Sequence, residues 1–498
     1  MSRATSIFNP SIPRPTTLNR EGYPAFERPL EEQYLQVLLT NTLGNTYYAT
    51  SDQLLQEAGQ VHTAMLEKDP EFAAKALVFA RNEGFMRLQP VFGLAALAGV
   101  RPDLFARVFD RVILIPSDLQ DFFTVLKSIG RGQGGRAVKR AAARWLNNRL
   151  SEYWAVKYNG RGRGYSLGDV VRTVHPAPAG AKQSALFAYL AGRDCDASLL
   201  PQVAAFEALK RAKTPEERAR LIGEGRLPHE AVTGVGGLDK ECWRALVLQL
   251  PAFALLRNLN TLERHGVLDE YREYISARLT DREALCKAKI LPFRFLKAFR
   301  EVKQTWLKDV LREAVEATFG NLPEIPGKTA VFLDKSGSMA GEYLLIGGVF
   351  AVALYKKTKG NSIFWTFNTR VEEQDISIHD SILSQADKFM AFGGTDVAAP
   401  VRRLAERKVF VDNVILITDE QQNAGDPFYK VLAEYRRKVN GRVKVFVIDV
   451  APYRSALVSP ADPLTFYVYG WSDTVLHYIS FAVQGYGGML DIVNKTAI

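Results

Sequence analysis

The sequence predicts a multidomain protein in which an all-α, HEAT-like helical-repeat domain precedes an α/β domain with a doubly wound sheet. Three observations carry this prediction. The chain has 498 residues and 47% apolar composition, which is more than one core normally holds. Apolar residues recur at helical spacing up to about residue 320, and short apolar strands alternate with helical stretches after it.

The first 320 residues read as helices. After a Pro-rich arm at residues 9–15, amphipathic stretches of helix length are separated by short Gly, Pro, Asp and Asn breaks, and alternating β-branched runs are missing. We assign residues 1–320 to an all-α domain, and the succession of helix pairs indicates a solenoid. The predicted helices span residues 31–39, 51–66, 70–82, 102–112, 119–128, 136–150, 181–191 and 240–248.

The pattern changes after residues 321–328, whose Pro and Gly content is typical of a linker. Short apolar strands are predicted at 329–333, 362–367, 413–417 and 443–450, with helical material at 343–356, 397–407 and 427–438. Alternating β and α elements favour a parallel sheet covered on both faces. Residues 329–498 therefore form the second predicted domain.

The net charge of +10 lies in the first domain. Residues 1–330 hold 46 basic and 36 acidic residues, whereas residues 331–498 hold 18 of each. Residues 131–182 alone carry eleven basic residues and two acidic ones. A solvated face is the ordinary explanation for a charge excess, but its concentration in one segment favours a nucleic-acid contact.

The spacing of the cysteines and the length of the apolar runs indicate in which cellular compartment the protein is expected. Cys195, Cys242 and Cys286 are scattered and lack zinc or disulfide spacing, so we interpret them as buried thiols. The longest uncharged apolar run, residues 344–355, is shorter than the ~18 residues that a membrane span needs. We expect a cytoplasmic protein without membrane association.

Oxygen-bearing residues follow three predicted strand ends in the second domain. Asp334, Ser336 and Ser338 form an Asp-x-Ser-x-Ser loop after the first strand, Thr395 follows two glycines, and Asp419 follows strand 413–417. Ligands of open α/β sheets bind at the carboxyl ends of strands, and such oxygens suit Mg²⁺ or another divalent cation. Helix capping explains any one of these motifs, but the three together favour a metal site.

This pattern resembles the metal-ion-dependent adhesion site of von Willebrand A-type domains. The resemblance implies that Asp334, Ser336 and Ser338 are ligands or nearly so, that Thr395 is the loop ligand, and that Asp419 holds metal-bound waters.

Several stretches of the first domain resemble the TROVE module of the Ro proteins, and with the second domain the resemblance covers nearly the whole chain. They are residues 39–48, Val156-Lys157-Tyr158, residues 169–176, residues 249–259 and Leu291-Pro292-Phe293-Arg294.

This resemblance implies a ring of helices closed by the A-type domain and no enzymatic activity. It also implies that small structured Y RNAs bind the outer surface and that ends of misfolded RNAs enter the central hole, in RNA quality control or maturation with exoribonucleases. We expect a monomeric ring.

The resemblance also indicates RNA-contact residues. Lys157, Arg161 and His175 match outer-surface positions, although the Gly-rich run at 159–164 is longer than the family pattern, so that Arg163 competes with Arg161. A structural role for His175 remains open. The adjoining basic stretch adds Arg131, Arg136, Lys139 and Arg140. Nearby aromatic residues favour RNA with unpaired bases, although most such residues are core.

A second basic stretch, residues 287–312, has helical spacing and is placed on the inner wall of the ring as a hypothesis. Two other functions stay open. One is a metal-dependent nuclease, although nucleophile elbow, Walker and paired-histidine motifs are missing. The other is a metal-dependent adhesion module that binds an acidic protein partner and has no role with RNA.

Overall fold

The protein is described by a computed structural model over residues 12–498, apart from 161–163, 289, 321, 323, 359–360, 473 and 484–487. Over the described residues between Leu30 and Phe319, helices follow one another without strands, which confirms the helical-repeat domain. They are α1 (Leu30–Thr40), α2 (Ser51–Lys68), α3 (Pro70–Asn82), α4 (Leu88–Val100), α5 (Pro102–Val112), α6 (Pro116–Ser128), α7 (Gly135–Arg149), α8 (Glu152–Tyr158), α9 (Leu167–Val174), α10 (Ala181–Ala191), α11 (Pro201–Leu209), α12 (Pro215–Gly225), α13 (His229–Val235), α14 (Lys240–Val247), α15 (Ala252–Arg264), α16 (Arg272–Thr280), α17 (Arg282–Ala288), α18 (Phe293–Glu301) and α19 (Thr305–Phe319).

Local sequence sets many helix starts. Thr50 caps α2 in a reciprocal pair with Gln53, and the Asp69 side chain accepts the Phe72 N–H at 2.9 Å before α3. Proline occupies a first position of α3, α5 and α6, where its missing N–H costs nothing. For this reason the predicted helix bounds lie within three residues of the observed ones.

The second domain contains the predicted doubly wound sheet. Its strands are β3 (Thr329–Asp334), β4 (Ser362–Phe367), β5 (Val371–Glu373), β6 (Asn413–Thr418), β7 (Lys444–Asp449) and β9 (Thr465–Tyr469), in the order β5-β4-β3-β6-β7-β9. All neighbours pair in parallel except β5, which runs antiparallel at the edge. Helices α20 (Glu342–Lys357), α21 (Ile382–Ala386), α22 (Ala399–Glu406), α23 (Phe428–Lys438), α24 (Thr474–Val483) and α25 (Met489–Asn494) complete it.

The segment before the first helix contains two short strands, which the sequence prediction did not include. Strands β1 (Thr17–Leu18) and β2 (Pro24–Glu27) form a hairpin, and β2 pairs antiparallel with β8 (Ser455–Ala456) of the second domain. Strands of two to four residues carry no readable alternation, and their partner lies more than 400 residues away. The N-terminal hairpin, residues 17–28, thus joins the A-type domain.

A buried charged group fixes this junction. Arg28 is 2% exposed, lies 4.2 Å from the ring centroid of Tyr467 and donates to Glu420, to Asp449 Oδ2 at 3.2 Å and to Tyr469 Oη at 2.7 Å. Burial raises the pKa values of Glu420 and Asp449, and the Arg28 charge opposes that shift. We call Arg28, Glu420, Asp449 and Tyr469 the closure cluster.

The far end of the helical domain also docks on the A-type domain. Arg300 Nε lies 2.6 Å from Asp387 Oδ1, and Glu316 accepts both Lys356 Nζ at 2.8 Å and the Ile382 N–H at 2.9 Å. The helices therefore begin and end on the same domain, which makes the chain a closed ring. The segment between Phe319 and Thr329 takes part in this packing, because Leu322 and Ile325 are buried.

The structure also bears on the burial of the cysteines and on the question of a membrane span. Cys242 is buried, but Cys195 is half-buried, so the prediction of fully buried thiols is wrong for Cys195, and the Cys286 side chain lies outside the described atoms. Over the described residues, no helix has the length and apolar character to cross a membrane.

Buried His62 should make the helical domain sensitive to acid. Burial lowers its pKa to about 4, although the hydrogen bond between Nε2 and Gln89 Oε1 at 3.0 Å opposes this shift. The unfolded histidine binds a proton near its ordinary pKa of about 6.5, so stability is lost as pH falls through that value. We expect about 2 kcal/mol less unfolding free energy at pH 5 than at pH 7 from this group. Urea unfolding of His62→Gln should have a correspondingly flatter pH dependence, and an unchanged pH dependence would contradict the assignment.

Candidate metal centre and nucleic-acid interface

The Asp-x-Ser-x-Ser loop begins where β3 ends and is tightly bonded within itself. Asp334 Oδ1 accepts the Ser336 N–H at 2.8 Å, and its Oδ2 accepts the Thr418 hydroxyl at 2.7 Å. The hydroxyl oxygens of Ser336 and Ser338 lie 3.2 Å apart. One carboxylate and two hydroxyls are thus placed together at the carboxyl end of β3. The carboxyl end of β6 lies beside them, because β3 and β6 are direct neighbours in the sheet.

Asp419 brings a second carboxylate to this group. It is 1% exposed, and its Oδ1 accepts the Gln421 N–H at 3.1 Å. Its Oδ2 is buried without a hydrogen bond to the described residues, while the Ser338 hydroxyl lies beside the carboxylate. Burial raises the pKa of Asp334 to about 6, and burial together with the Asp334 charge raises that of Asp419 to about 8.

The glycine loop before Thr395 lies against these residues. The Gly337 N–H donates to the Gly393 carbonyl, and the Phe392 N–H donates to the Lys335 carbonyl, both at 2.9 Å. Thr395 is buried. Its N–H donates to Asn423 Oδ1 at 2.8 Å, and its carbonyl accepts the Asn423 N–H at 3.0 Å. The three predicted loops therefore meet, while metal coordination by Thr395 stays a prediction.

The donor set fits a hard divalent cation. Within the described ranges, His, Cys, Asp and Glu nowhere form a metal-binding group of three or more, so a cation here depends on hydroxyl oxygens as well as on two carboxylates. Such a cation would neutralise the two buried carboxylates, which repel each other. It would also bind the carboxylate oxygen of Asp419 that has no hydrogen bond to the described residues. Asp334, Ser336, Ser338 and Asp419 would hold it, and it would supply a concentrated positive charge at the sheet edge.

The N-terminal hairpin contacts the loop that carries Asp419. Asn19 Nδ2 donates to the Gln422 carbonyl at 2.8 Å, the Arg20 N–H donates to Gln421 Oε1 at 2.9 Å, and the Tyr23 hydroxyl donates to the Gly425 carbonyl. Sequence reasoning missed these residues because no local pattern connects residues 19–23 with residues 421–425. Ring closure and the candidate metal site therefore share one loop.

Replacing Asp334 with alanine should abolish Mg²⁺ and Mn²⁺ binding, since it removes the central carboxylate of the site. Isothermal titration calorimetry should detect cation binding to the unaltered protein and none to Asp334→Ala. The matched control is Asp375→Ala, an exposed acid of the same domain. Equal binding by the Asp334→Ala variant would refute the assignment. RNA affinity should change little, because the charge excess lies in the other domain.

The predicted RNA residues of the basic stretch lie around the first turns of α7. Gly134 precedes the helix with φ +76°, and a Cβ there would meet Val138 at 2.7 Å, so glycine is required at this turn. Arg136 and Arg140 are exposed and free of acidic partners over the described part of the chain, and Lys139 donates to Gln133 Oε1 at 2.7 Å. Arg131 is half-buried, with its guanidinium packed against Gly99.

The other predicted contacts differ in accessibility. Lys157 is only 19% exposed and pairs with Glu230 Oε1 at 2.8 Å. His175 caps the end of α9 in the left-handed conformation, with φ +50°, and the exposure of its side chain argues against a packed structural role for the imidazole. Arg161 and Arg163 lie outside the described residues, so their competition for one position stays open.

The aromatic residues near this segment are mostly core, as expected. Trp145 is 1% exposed, donates to the Ile113 carbonyl at 2.8 Å and stacks on Trp154 with ring centroids 5.8 Å apart. Tyr153, Trp154, Tyr158 and Tyr165 are half-buried. Any base stacking in this segment therefore depends on those four side chains.

Three cations of the second basic stretch contact the A-type domain, and the placement of this stretch on the inner wall of the ring stays a hypothesis. Arg294 and Arg300 contact Glu342 and Asp387 of the A-type domain, at 3.4 and 2.6 Å, and Arg312 Nε donates to Ser384 Oγ at 2.9 Å. These cations hold the two domains together. Lys289 lies outside the described residues.

Comparison with known proteins matches both domains. The family model of the TROVE domain matches residues 230–328, and that of the Ro60 vWA domain matches residues 335–482.

One curated relative matches almost end to end. The chain is 28% identical over 473 residues to the RNA-binding protein RO60 of Deinococcus radiodurans, covering 86% of this chain and 88% of that protein. The crystal structure of the Ro (Rsr) protein of the same organism superposes with a TM-score of 0.67 at 23% identity, over 91% of this chain and 100% of that one. The solved structure therefore shares the overall fold of this chain.

Proposed function

Because the chain belongs to the Ro family of TROVE-domain proteins, we propose that it binds structured RNA through the basic segment, residues 131–182. The observation that carries this proposal is that Arg136 and Arg140 on α7 are exposed and, within the described part of the chain, have no acidic partner. Clustered cations of this kind neutralise phosphates and release counterions, which is the dominant source of RNA affinity. The protein acts by binding and not as an enzyme, in keeping with the name of its Deinococcus relative.

The finer features of the proposal come from the family resemblance. We propose that the bound RNAs are small structured non-coding RNAs of the Y type, that ends of misfolded RNAs enter the ring, and that exoribonucleases are partners in maturation or decay. Exposed His175 supports the outer-surface position, since an exposed imidazole is available to a ligand. A divalent cation at Asp334 and Asp419 belongs to the same proposal.

Ultraviolet crosslinking in native cells, followed by sequencing of the bound RNA, tests this function. We expect enrichment of structured RNAs with crosslinked peptides from residues 131–182, and labelled RNA left intact by the purified protein in Mn²⁺. Metal-dependent RNA cleavage that disappears in Asp334→Ala would instead support a nuclease. Protein free of nucleic acid that captures an acidic protein in a metal-dependent manner would support the adhesion module.

A further inference from the structure

A solvent-open cleft of about 500 Å³ lies between α15 and α18. Its floor is apolar and consists of buried Leu256, Leu259, Ala298 and Val302. The volume falls within the range of roughly 300–1,000 Å³ that is typical of small-ligand pockets. As far as the structure describes the chain, its lining includes no residue of the metal centre or of the basic segment 131–182.

Positive charge is concentrated on the rim of this cleft. Arg257 and Lys297 are exposed, and over the described residues neither has an acidic partner. Among the described residues, the acidic contact of Arg294 is the one with Glu342 at 3.4 Å, and Glu301 is the one acid of the cleft lining. By contrast, Arg300 of the same helix is neutralised by Asp387. The positive charge of the rim therefore favours the binding of an anion.

An aromatic ring and a free amide stand beside these cations. Phe253 is 36% exposed, and the Arg257 guanidinium carbon lies 5.8 Å from its ring centroid. The Asn260 side chain lines the cleft and donates no hydrogen bond to the described residues. An exposed ring offers a stacking face, an amide offers a donor and an acceptor for a base edge, and the cations offer phosphate contacts.

We propose that this cleft binds one unstacked nucleotide of a single-stranded RNA. The base packs on Phe253 and the apolar floor, and Arg257 and Lys297 bind the flanking phosphates. An acidic peptide would satisfy the cations but leave the ring and the floor uncovered, so RNA is the better occupant. The inference rests on the proposed function for its ligand class, but it depends on different residues.

A short RNA separates this site from the outer segment. Fluorescence anisotropy with a hexamer of adenylate should show about tenfold weaker binding by Phe253→Leu and by the Arg257→Gln/Lys297→Gln variant. The double variant should also lower the slope of log affinity against log salt by about 1.4, at roughly 0.7 per phosphate of a single strand. Arg264→Gln, an exposed cation on α15 outside the cleft, is the matched control and should bind normally.

Competing ligands decide what the cleft recognises. An abasic hexamer with the same phosphates should bind the unaltered protein more weakly than the adenylate hexamer does. The Phe253→Leu variant should bind the two hexamers equally weakly. Hexamer affinities unchanged by all cleft variants, or a hexaglutamate peptide that competes equally well, would overturn the proposal. If structured RNA still bound through Arg136 and Arg140 in that case, only the cleft assignment would fail. Failure of both RNAs to bind would refute the proposed function as well.

Discussion

Replacing Arg28 with methionine is expected to destabilise the closed ring by about 3–5 kcal/mol, the usual cost of removing one partner from a buried ion pair. The substitution leaves Glu420 and Asp449 buried without a cation, and it removes the hydrogen bond to Tyr469. Thermal unfolding should begin at a lower temperature. Limited proteolysis should cut the N-terminal hairpin, which the closure cluster holds against β8.

Two comparisons separate charge from packing at this site. Arg454→Met removes only hydrogen bonds to Gln33 across the same junction, at 2.9 and 3.3 Å, and should cost no more than about 1 kcal/mol. Adding Glu420→Gln and Asp449→Asn to Arg28→Met should recover part of the lost stability. The loss of unfolding free energy caused by Arg28→Met should become smaller as pH falls from 8 to 5, because the two carboxylates are then protonated and neutral in the folded state. A pH-independent deficit without rescue would show that lost packing is the cause.

RNA affinity is expected to fall steeply with salt and to depend on α7. If six or more phosphates are contacted, affinity should drop roughly 10³-fold or more between 50 and 200 mM salt. Arg136→Gln/Arg140→Gln should lower the slope of log affinity against log salt by about two, at roughly 0.9 per phosphate of a duplex. Lys157→Gln should lower it by less than one, because Lys157 already pairs with Glu230.

The matched control for α7 removes two exposed cations of the A-type domain, in Lys430→Gln/Arg442→Gln. This variant has the same net charge as Arg136→Gln/Arg140→Gln, so any difference reflects position. Filter binding of a Y-like RNA at four salt concentrations gives the slopes, with thermal melting to verify folding. Equal slopes for the two double variants would move the outer RNA site away from α7.

Much of the fold and of the metal site follows from local sequence. Helix caps such as Thr50 and Asp69, and strand ends such as Asp334, are specified by neighbours within a few residues. The position of Asp419 is likewise predictable, because β6 is a continuous apolar run that ends beside β3. These features depend on periodicity and on the rule that ligand sites lie at the carboxyl ends of parallel strands.

The features that sequence reasoning missed depend on distant partners. The N-terminal hairpin, residues 17–28, forms one short sheet with β8, which lies more than 400 residues away in the sequence. Lys157 looks like a free cation in the sequence, but folding places Glu230 beside it. Similarly, Arg294 and Arg300 look like an RNA surface until the A-type domain supplies Glu342 and Asp387. Charge patterns therefore locate basic segments, but not which of their members stay unpaired.

The closure cluster also determines when this protein is able to finish folding during its synthesis. Arg28 and Glu420 are 392 residues apart, so the arginine leaves the ribosome long before its acceptor exists. At about 5–20 residues per second, the delay is roughly 20–80 s. During that time the first helices cannot pack against the A-type domain. The Arg28 side chain and the N-terminal hairpin are exposed, so that chaperones or a neighbouring nascent chain can bind them. The rate at which the residues between Arg28 and Glu420 are synthesised thus sets how long the junction stays open.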